Sequence, residues 1–176
     1  MIEQDILENQ VNPVYLGIGS NLGNKINNIE LAKSKLILND IMIVKSSSYY
    51  ESLSWPDNNN PKFYNVVVKV LTKLSPFELI SVCKTIETSL GRKKRLRNAP
   101  RECDIDIIDF NGETILRKLG NHKLNTPHKR MHNRNFVLFP LYELDKDWVH
   151  PKLNKNIVIL MSNLTSDQLL GIKIAQ

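Results

Sequence analysis

Cysteine is scarce in this chain: only Cys83 and Cys103 among 176 residues, far apart and in no CxxC pair. A reduced, cytoplasmic protein accounts for them without a disulfide framework. No apolar run approaches the length of a membrane span, and no basic n-region or apolar h-region opens the chain. Residues 1–13, rich in acids and amides, therefore read as an N-terminal extension rather than a secretory signal. Internal repeats and interdomain linkers are also missing. With 41% apolar residues, residues 14–176 are expected to bury one core as a single domain. Nucleotide and metal motifs of the common kinds are lacking: there is no GxxxxGK[ST] and no HExxH.

What is present is concentrated. The net charge is +6, yet residues 92–101 alone hold six Lys/Arg and no acid, and the rest of the chain balances at eighteen against eighteen. A globally basic surface would suit nucleic acid or lipid, whereas one local cluster suits a compact polyanion or is simply a solvated loop. That cluster leads into Arg97-Asn98-Ala99-Pro100-Arg101-Glu102-Cys103-Asp104-Ile105-Asp106-Ile107-Ile108. Arginines that can grip phosphate stand directly before two carboxylates and an apolar run.

The flanking sequence places this segment. Val14, Leu16 and Ile18 alternate as in a half-buried strand, and Ile26, Ile29, Leu36 and Ile37 recur near helical spacing. Residues 41–50 are β-branched and extended, 55–61 is loop, and Phe63–Leu71 is another strand. Ser75-Pro76-Phe77-Glu78 starts a helix with a capping box, and its stripe Leu79, Cys83, Ile86 and Leu90 ends at Gly91. A strand at 104–110 then meets Asn111-Gly112, which reads as a tight hairpin turn. A Lys/His/Asn-rich loop (117–135), a short apolar helix (136–144) and a weakly patterned tail follow. The order β-α-β-β-α-β predicts an α+β fold of ferredoxin-like type, an antiparallel sheet with helices on one face.

On a strand, Asp104 and Asp106 project from one face, roughly 7 Å apart. Two hard oxygen donors on an otherwise apolar strand suit magnesium, which keeps its own waters and takes one or two carboxylates. A nucleic-acid groove would be repelled by such a pair, whereas a nucleoside triphosphate brings the cation with it. Arg92 and Arg101 flank the basic loop as bidentate phosphate contacts, while Lys93, Lys94 and Arg95 attract the ligand. Gly17-Ile18-Gly19-Ser20-Asn21-Leu22-Gly23 has GxGxxxG spacing, which reads as a tight strand-to-helix turn with no ligand. His128 follows Pro127 in a polar loop and is a candidate nucleotide contact; His132 and His150 read as surface residues. Phe63 and Asn65 share a strand face, an aromatic with an amide beside it, as a flat heterocycle requires.

Together these residues resemble the 6-hydroxymethyl-7,8-dihydropterin pyrophosphokinase family of folate biosynthesis. The run from Arg97 to Ile108 matches the family's signature at every position, and Gly17–Gly23, Pro61–Asn65, Ile86-Glu87 with Gly91-Arg92, and Pro127-His128 through Phe136 match in order. The resemblance spans about residues 14–150. It implies transfer of pyrophosphate from ATP to the pterin's hydroxymethyl group, with two magnesium ions held by Asp104 and Asp106. It also implies Arg92 and Arg101 at the phosphates, and Glu87, Arg97, Ile107, His128 and Arg134 at the nucleotide. The pterin would lie between Phe63 and Phe136, with Asn65, Ser52, Leu53 and Trp55 around it. Segments 46–61 and 92–101 would be mobile lids. The expected partners are these small molecules, with no nucleic acid and no membrane, and the expected state is a monomer. Rival readings are a basic ferredoxin-like nucleic-acid-binding module, which would want an RNP-like aromatic pattern that the sequence lacks, and a nucleotide-binding domain without catalysis.

Overall fold

The computed structural model describes residues 11–55, 57–93, 99–120 and 122–175. Strand β1 (Asn12–Ser20) is an interior strand of the main sheet. It is followed by α1 (Lys25–Ile37), β2 (Met42–Ser46), β3 (Tyr50–Ser52), β4 (Phe63–Thr72), α2 (Pro76–Ser89) and β5 (Asp104–Phe110). β1 pairs antiparallel with β4 on one side and β5 on the other. The outer edge of β4 is shared: β2 pairs with its second half and β3 with its first. This is the ferredoxin-like order expected from the sequence, with one difference. The extended stretch read at 41–50 divides into two strands on the same ten-residue partner, and Ser47 at the break donates its N–H to Val67 and accepts Val67 N–H through Oγ.

The alternation of β1 decides the layers. Val14, Leu16 and Ile18 join Val66, Val68, Val70, Ile105 and Ile107 in a core with Ile29, Ala32 and Leu36 of α1 and Leu79, Cys83 and Ile86 of α2. Each such aliphatic side chain contributes about 1.5–3 kcal/mol of transfer free energy. The buried stripe of α1 differs from the sequence reading: Ile26 and Ile37 are largely exposed, and Ala32 takes their place at i, i+3, i+7 spacing. At α2 the capping box forms as read, with Ser75 and Glu78 exchanging both bonds, and Gly91 follows the helix at φ +99°. Cys83 and Cys103 are fully buried, and burial pushes both thiols up to about 12, so neither presents a thiolate.

The expectation of helices on one face is corrected here. Tyr15, Val67 and Ile108 point the other way, into a second core built by α3 (Asn135–Leu144) and α4 (Ile157–Ser162). Polar anchors hold this layer: the Tyr15 hydroxyl donates to Asp145 at 2.7 Å and Trp148 Nε1 donates to the buried Asp109 at 2.9 Å. Two further sequence expectations change. Asn111 and Gly112 do form a turn, with φ of +52° and +69° and a bond from Glu113 N–H to Phe110 O. No hairpin with β5 follows, because β6 (Ile115–Leu119) pairs instead with β7 (His122–Thr126) inside the stretch read as loop. Turn residues specify a local reversal, not the partner of the strand beyond it. The weakly patterned tail also has structure: β8 (Val149–His150) pairs with β9 (Lys155–Asn156), and α5 (Ser166–Leu170) leads into β10 (Ile172–Ile174), which extends the main sheet beside β3.

His150 is not a surface residue. It is 4% exposed, and its Nδ1 accepts the N–H groups of Lys152 and Leu153, both at 3.2 Å. Burial, aided by His132, holds its pKa below the usual histidine value. The unfolded chain therefore binds the proton more readily, so stability is retained above about pH 6.5 and falls as pH drops through the depressed folded-state value. The thermal midpoint of the wild type is expected to decline between pH 7 and 5.5 more steeply than that of His150→Asn, which keeps an acceptor but no proton site. Equal pH sensitivity in the two proteins would remove His150 as the source. Among the described residues no helix is long and apolar enough to cross a membrane.

Candidate active site

A cavity of about 640 Å³ opens on the α3 side of the sheet, over the start of β5, the end of β1 and the start of β4. Its floor follows from strand register. Gly19 of β1 lies between Asp104 of β5 and Asn65 of β4, and Asn65 in turn faces Tyr50 of β3. One residue pair along, Gly17 lies between Asp106 and Val67. Two strand spacings, about 10 Å, thus separate the carboxylate column from the amide. The absence of side chains between them is required: a Cβ on Gly19 would approach Asn65 Oδ1 to 3.1 Å and Phe63 Cδ1 to 3.5 Å, and one on Gly17 would reach Ile108 Cδ1 at 3.2 Å. This corrects the reading of Gly17–Gly23 as merely a turn. Only Gly23, at φ +66°, serves the turn; Gly17 and Gly19 are strand residues lining the cavity.

At the β5 end the charges are dense. Arg92 NH1 lies 2.5 Å from Asp104 Oδ1 and 2.6 Å from Glu87 Oε2, and Arg101 Nε lies 3.4 Å from Asp104 Oδ2. Burial alone would raise the Asp104 carboxyl, but Arg101, Arg92 and Lys84 outweigh it and hold it below the ordinary range. Glu87, 2% exposed, stands behind this group and also takes the Lys84 ammonium at 2.8 Å and Ile105 N–H at 2.7 Å. Asp106 is more open, its side chain 42% exposed, with Arg134 NH1 at 3.8 Å and His128 Nε2 at 4.0 Å. Burial pushes the His128 pKa down against Asp106, with Arg134 and Arg130 adding to the effect, so its imidazole is neutral at pH 7.

At the β4 end the lining turns apolar and hydrogen-bonding. Asn65 Nδ2 donates to Tyr50 O at 3.2 Å and Ser52 Oγ at 3.0 Å; a backbone carbonyl only accepts, so the amide must present Oδ1 toward the space over Gly19. Phe63 and Phe136 both line the cavity, with Arg101 over the first ring at 5.5 Å and Arg134 over the second at 5.3 Å. Ser54 and Asn21 tie the loop after β3 to Pro61 O at 2.6 and 3.0 Å, and Asn21 Oδ1 also accepts Arg101 N–H at 2.8 Å. Trp55 lines the mouth under Arg130, 5.6 Å from its ring centre. The segment 46–61 is accordingly not a free lid throughout, since β3 is paired on both edges.

Of the residues singled out in the sequence, Ser52, Leu53, Trp55, Phe63, Asn65, Arg92, Arg101, Asp104, Asp106, His128, Arg134 and Phe136 all line this one cavity. Glu87 lies behind it. Arg97, within 94–98, is outside the described residues. Ile107 differs from expectation: its side chain turns to the helix-side core with Ile105, and Ile108, two residues on from Asp106 and on the same strand face, lines the cavity instead. Sequence reasoning missed Lys84, Arg130, Asn133, Gln168 and the two glycines. Lys84 had a readable signal, three residues before Glu87 and therefore beside it on a helix.

An arginine- and carboxylate-bearing end joined by a glycine floor to an aromatic slot has the form of an enzyme site. Residues 15–146 match the family model for 7,8-dihydro-6-hydroxymethylpterin-pyrophosphokinase (HPPK). The chain belongs to this family. It is 41% identical over 142 residues to 2-amino-4-hydroxy-6-hydroxymethyldihydropteridine pyrophosphokinase of Aquifex aeolicus, covering 81% of this chain and 86% of that protein. It is also 41% identical over 138 residues to the folic acid synthesis protein fol1 of Pneumocystis carinii, covering 78% of this chain but only 18% of that longer one. A Plasmodium falciparum HPPK-DHPS variant crystallised with pterin and p-hydroxybenzoate shares the fold, with a TM-score of 0.74 at 18% identity, over 94% of this chain and 48% of that one.

Proposed function

We infer that this chain, as a single domain over residues 14–176, carries out its family's reaction. It transfers pyrophosphate from ATP to 6-hydroxymethyl-7,8-dihydropterin in folate synthesis, giving the pterin pyrophosphate and AMP. The observation that carries the residue assignment is the row Asp104–Gly19–Asn65, which sets a charged end and a heterocycle slot on one floor. The pterin's hydroxymethyl oxygen forms a bond to the β-phosphorus as the bond from that phosphorus to the α,β-bridging oxygen breaks. AMP leaves with that oxygen, and the hydroxyl proton is lost.

Phe63 and Phe136 hold the flat ring, and Asn65 Oδ1 with the Ser52–Leu53 edge reads its hydrogen-bonding side. Arg92 and Arg101 engage the phosphates, while Arg134 and neutral His128 contact the nucleotide. Asp104 and Asp106 fit magnesium by their chemistry: hard oxygens on one face, with Asp106 open to the cavity. Magnesium, two ions on this reading, would supply charge neutralisation at the phosphates. The rest is positioning: the arginines fix the phosphates at one end of the floor, the aromatic pair fixes the acceptor at the other, and no nucleophilic side chain is needed. A monomer in a reducing compartment completes the reading.

Incubation with ATP, magnesium and hydroxymethyl-dihydropterin is expected to release AMP with one-to-one pterin pyrophosphate. Release of ADP would overturn attack at the β-phosphorus, and no turnover by the folded protein would favour a binding domain. Salt-sensitive RNA binding that ATP does not displace would be the sign of the nucleic-acid reading.

A further inference from the structure

The family match ends at residue 146, yet Asp167, Gln168 and Gly171 line the same cavity. The segment reaches both walls of the aromatic slot. On one wall β10 pairs with β3, so that Ile172 faces Ser52, and Ala175 N–H donates to Tyr49 O at 2.7 Å. On the other wall Gln168 grips the entry to α3 twice. Its Nε2 donates to Asn133 O at 2.8 Å, and its backbone carbonyl accepts Asn135 Nδ2 at 2.5 Å. The same Asn135 side chain takes Phe136 N–H through Oδ1 at 2.7 Å. A chain of hydrogen bonds therefore runs from Gln168 to the backbone of the aromatic residue that closes the slot.

We propose that residues 165–175 act as a clasp that sets the spacing between the Ser52–Leu53 edge and Phe136, with Gln168 as a positioning residue for the pterin. The assignment rests on the proposed pyrophosphokinase reading and deepens it. Ser52 and Phe136 sit on separate elements, β3 and α3. Without the clasp, the slot's width would depend on how firmly the N-terminal turn of α3 is seated. Arg134 is held by backbone bonds that do not involve Gln168, its N–H donating to Met131 O at 3.0 Å and its carbonyl accepting Val137 and Leu138 N–H at 3.1 and 3.0 Å, so the nucleotide end depends less on Gln168.

Gln168 has a second role that a test must separate. Its Oε1 accepts Thr165 N–H at 2.9 Å in the capping box of α5. Gln168→Glu keeps that acceptor but has no N–H to give Asn133 O, whereas Gln168→Ala loses both; the Gln168 carbonyl still accepts Asn135 Nδ2 in either, so the two variants test the link to Asn133. Pterin and α,β-methylene-ATP affinities are measured separately by calorimetric titration on the full chain, with steady-state kinetics alongside. Both variants are expected to weaken pterin binding and raise its KM about tenfold, the scale of one lost hydrogen bond. Nucleotide affinity and kcat at saturating pterin should stay within twofold of wild type. Wild-type pterin affinity in Gln168→Glu, or equal weakening of both ligands, would overturn Gln168 as a positioning residue. Failure of the wild type itself to bind pterin would instead overturn the functional reading beneath it.

Discussion

Asp106→Ala is expected to lower turnover at least about 1,000-fold while leaving the fold intact, an effect on the order of 4 kcal/mol in the transition state. Its carboxylate is the more open of the pair, and its charged neighbours stand at 3.8 and 4.0 Å, outside good hydrogen-bond range. Contacts of that kind add little to stability, so the circular dichroism spectrum and thermal midpoint should hardly move. The loss falls on the site: a hard oxygen donor disappears, and His128 and Arg134 lose the negative charge they face. Turnover within tenfold of wild type, at any magnesium concentration, would remove Asp106 from the metal assignment. Asp104 is the poorer probe, because its removal also takes a carboxylate from both Arg92 and Arg101.

Glu87→Ala is expected to have the largest effect on stability. The carboxylate is 2% exposed and serves three donors at once: the Lys84 ammonium, the Arg92 guanidinium and Ile105 N–H. Removing it leaves Ile105 N–H without its acceptor, takes from Lys84 its 2.8 Å carboxylate and leaves Arg92 with the Asp104 carboxylate. Breaking a buried pair costs about 3–5 kcal/mol, and the partial solvent access of Lys84 and Arg92 places this case near the lower end. A loss of about 3 kcal/mol corresponds to a fall in thermal midpoint of roughly 6–12 °C for a chain of this size. Glu87→Gln, which still accepts from Ile105, should fall between wild type and alanine. A midpoint within 2 °C of wild type in the alanine variant, on the same midpoint scale, would show that the cations find other partners. Catalysis should suffer as well, because Glu87 and Asp104 together hold Arg92 at the cavity.

How much of this was legible depends on the range of the interaction. The capping box at Ser75 and the i, i+2 projection of Asp104 and Asp106 are rules of local geometry, and both held in the fold. The arginines on either side of the basic loop likewise reached the cavity from adjacent sequence. Ile107 was assigned by resemblance alone, and strand alternation decides against it: counting on from Asp104 and Asp106 puts Ile108 on the cavity face and Ile107 with Ile105 in the helix-side core, where the fold has them. His150 was misplaced for a different reason, since nothing near a histidine in sequence reveals the layer that will cover it. Asn111-Gly112 made its turn, yet the strand after it found a partner eleven positions further on, at Thr126.

By itself, the sequence determined the strand and helix periods, the helix caps, the charged signature and hence the family and fold. These are encoded in spacing within a few residues, where sterics and hydrogen bonding act directly. Only the tertiary structure decided that Gly19 separates Asp104 from Asn65, that α3 covers the second face of the sheet, and that Gln168 holds the far wall of the slot. Those facts depend on which strands pair and in what register. Register is settled by the summed burial of whole faces across the sheet, a non-local balance that no short motif contains.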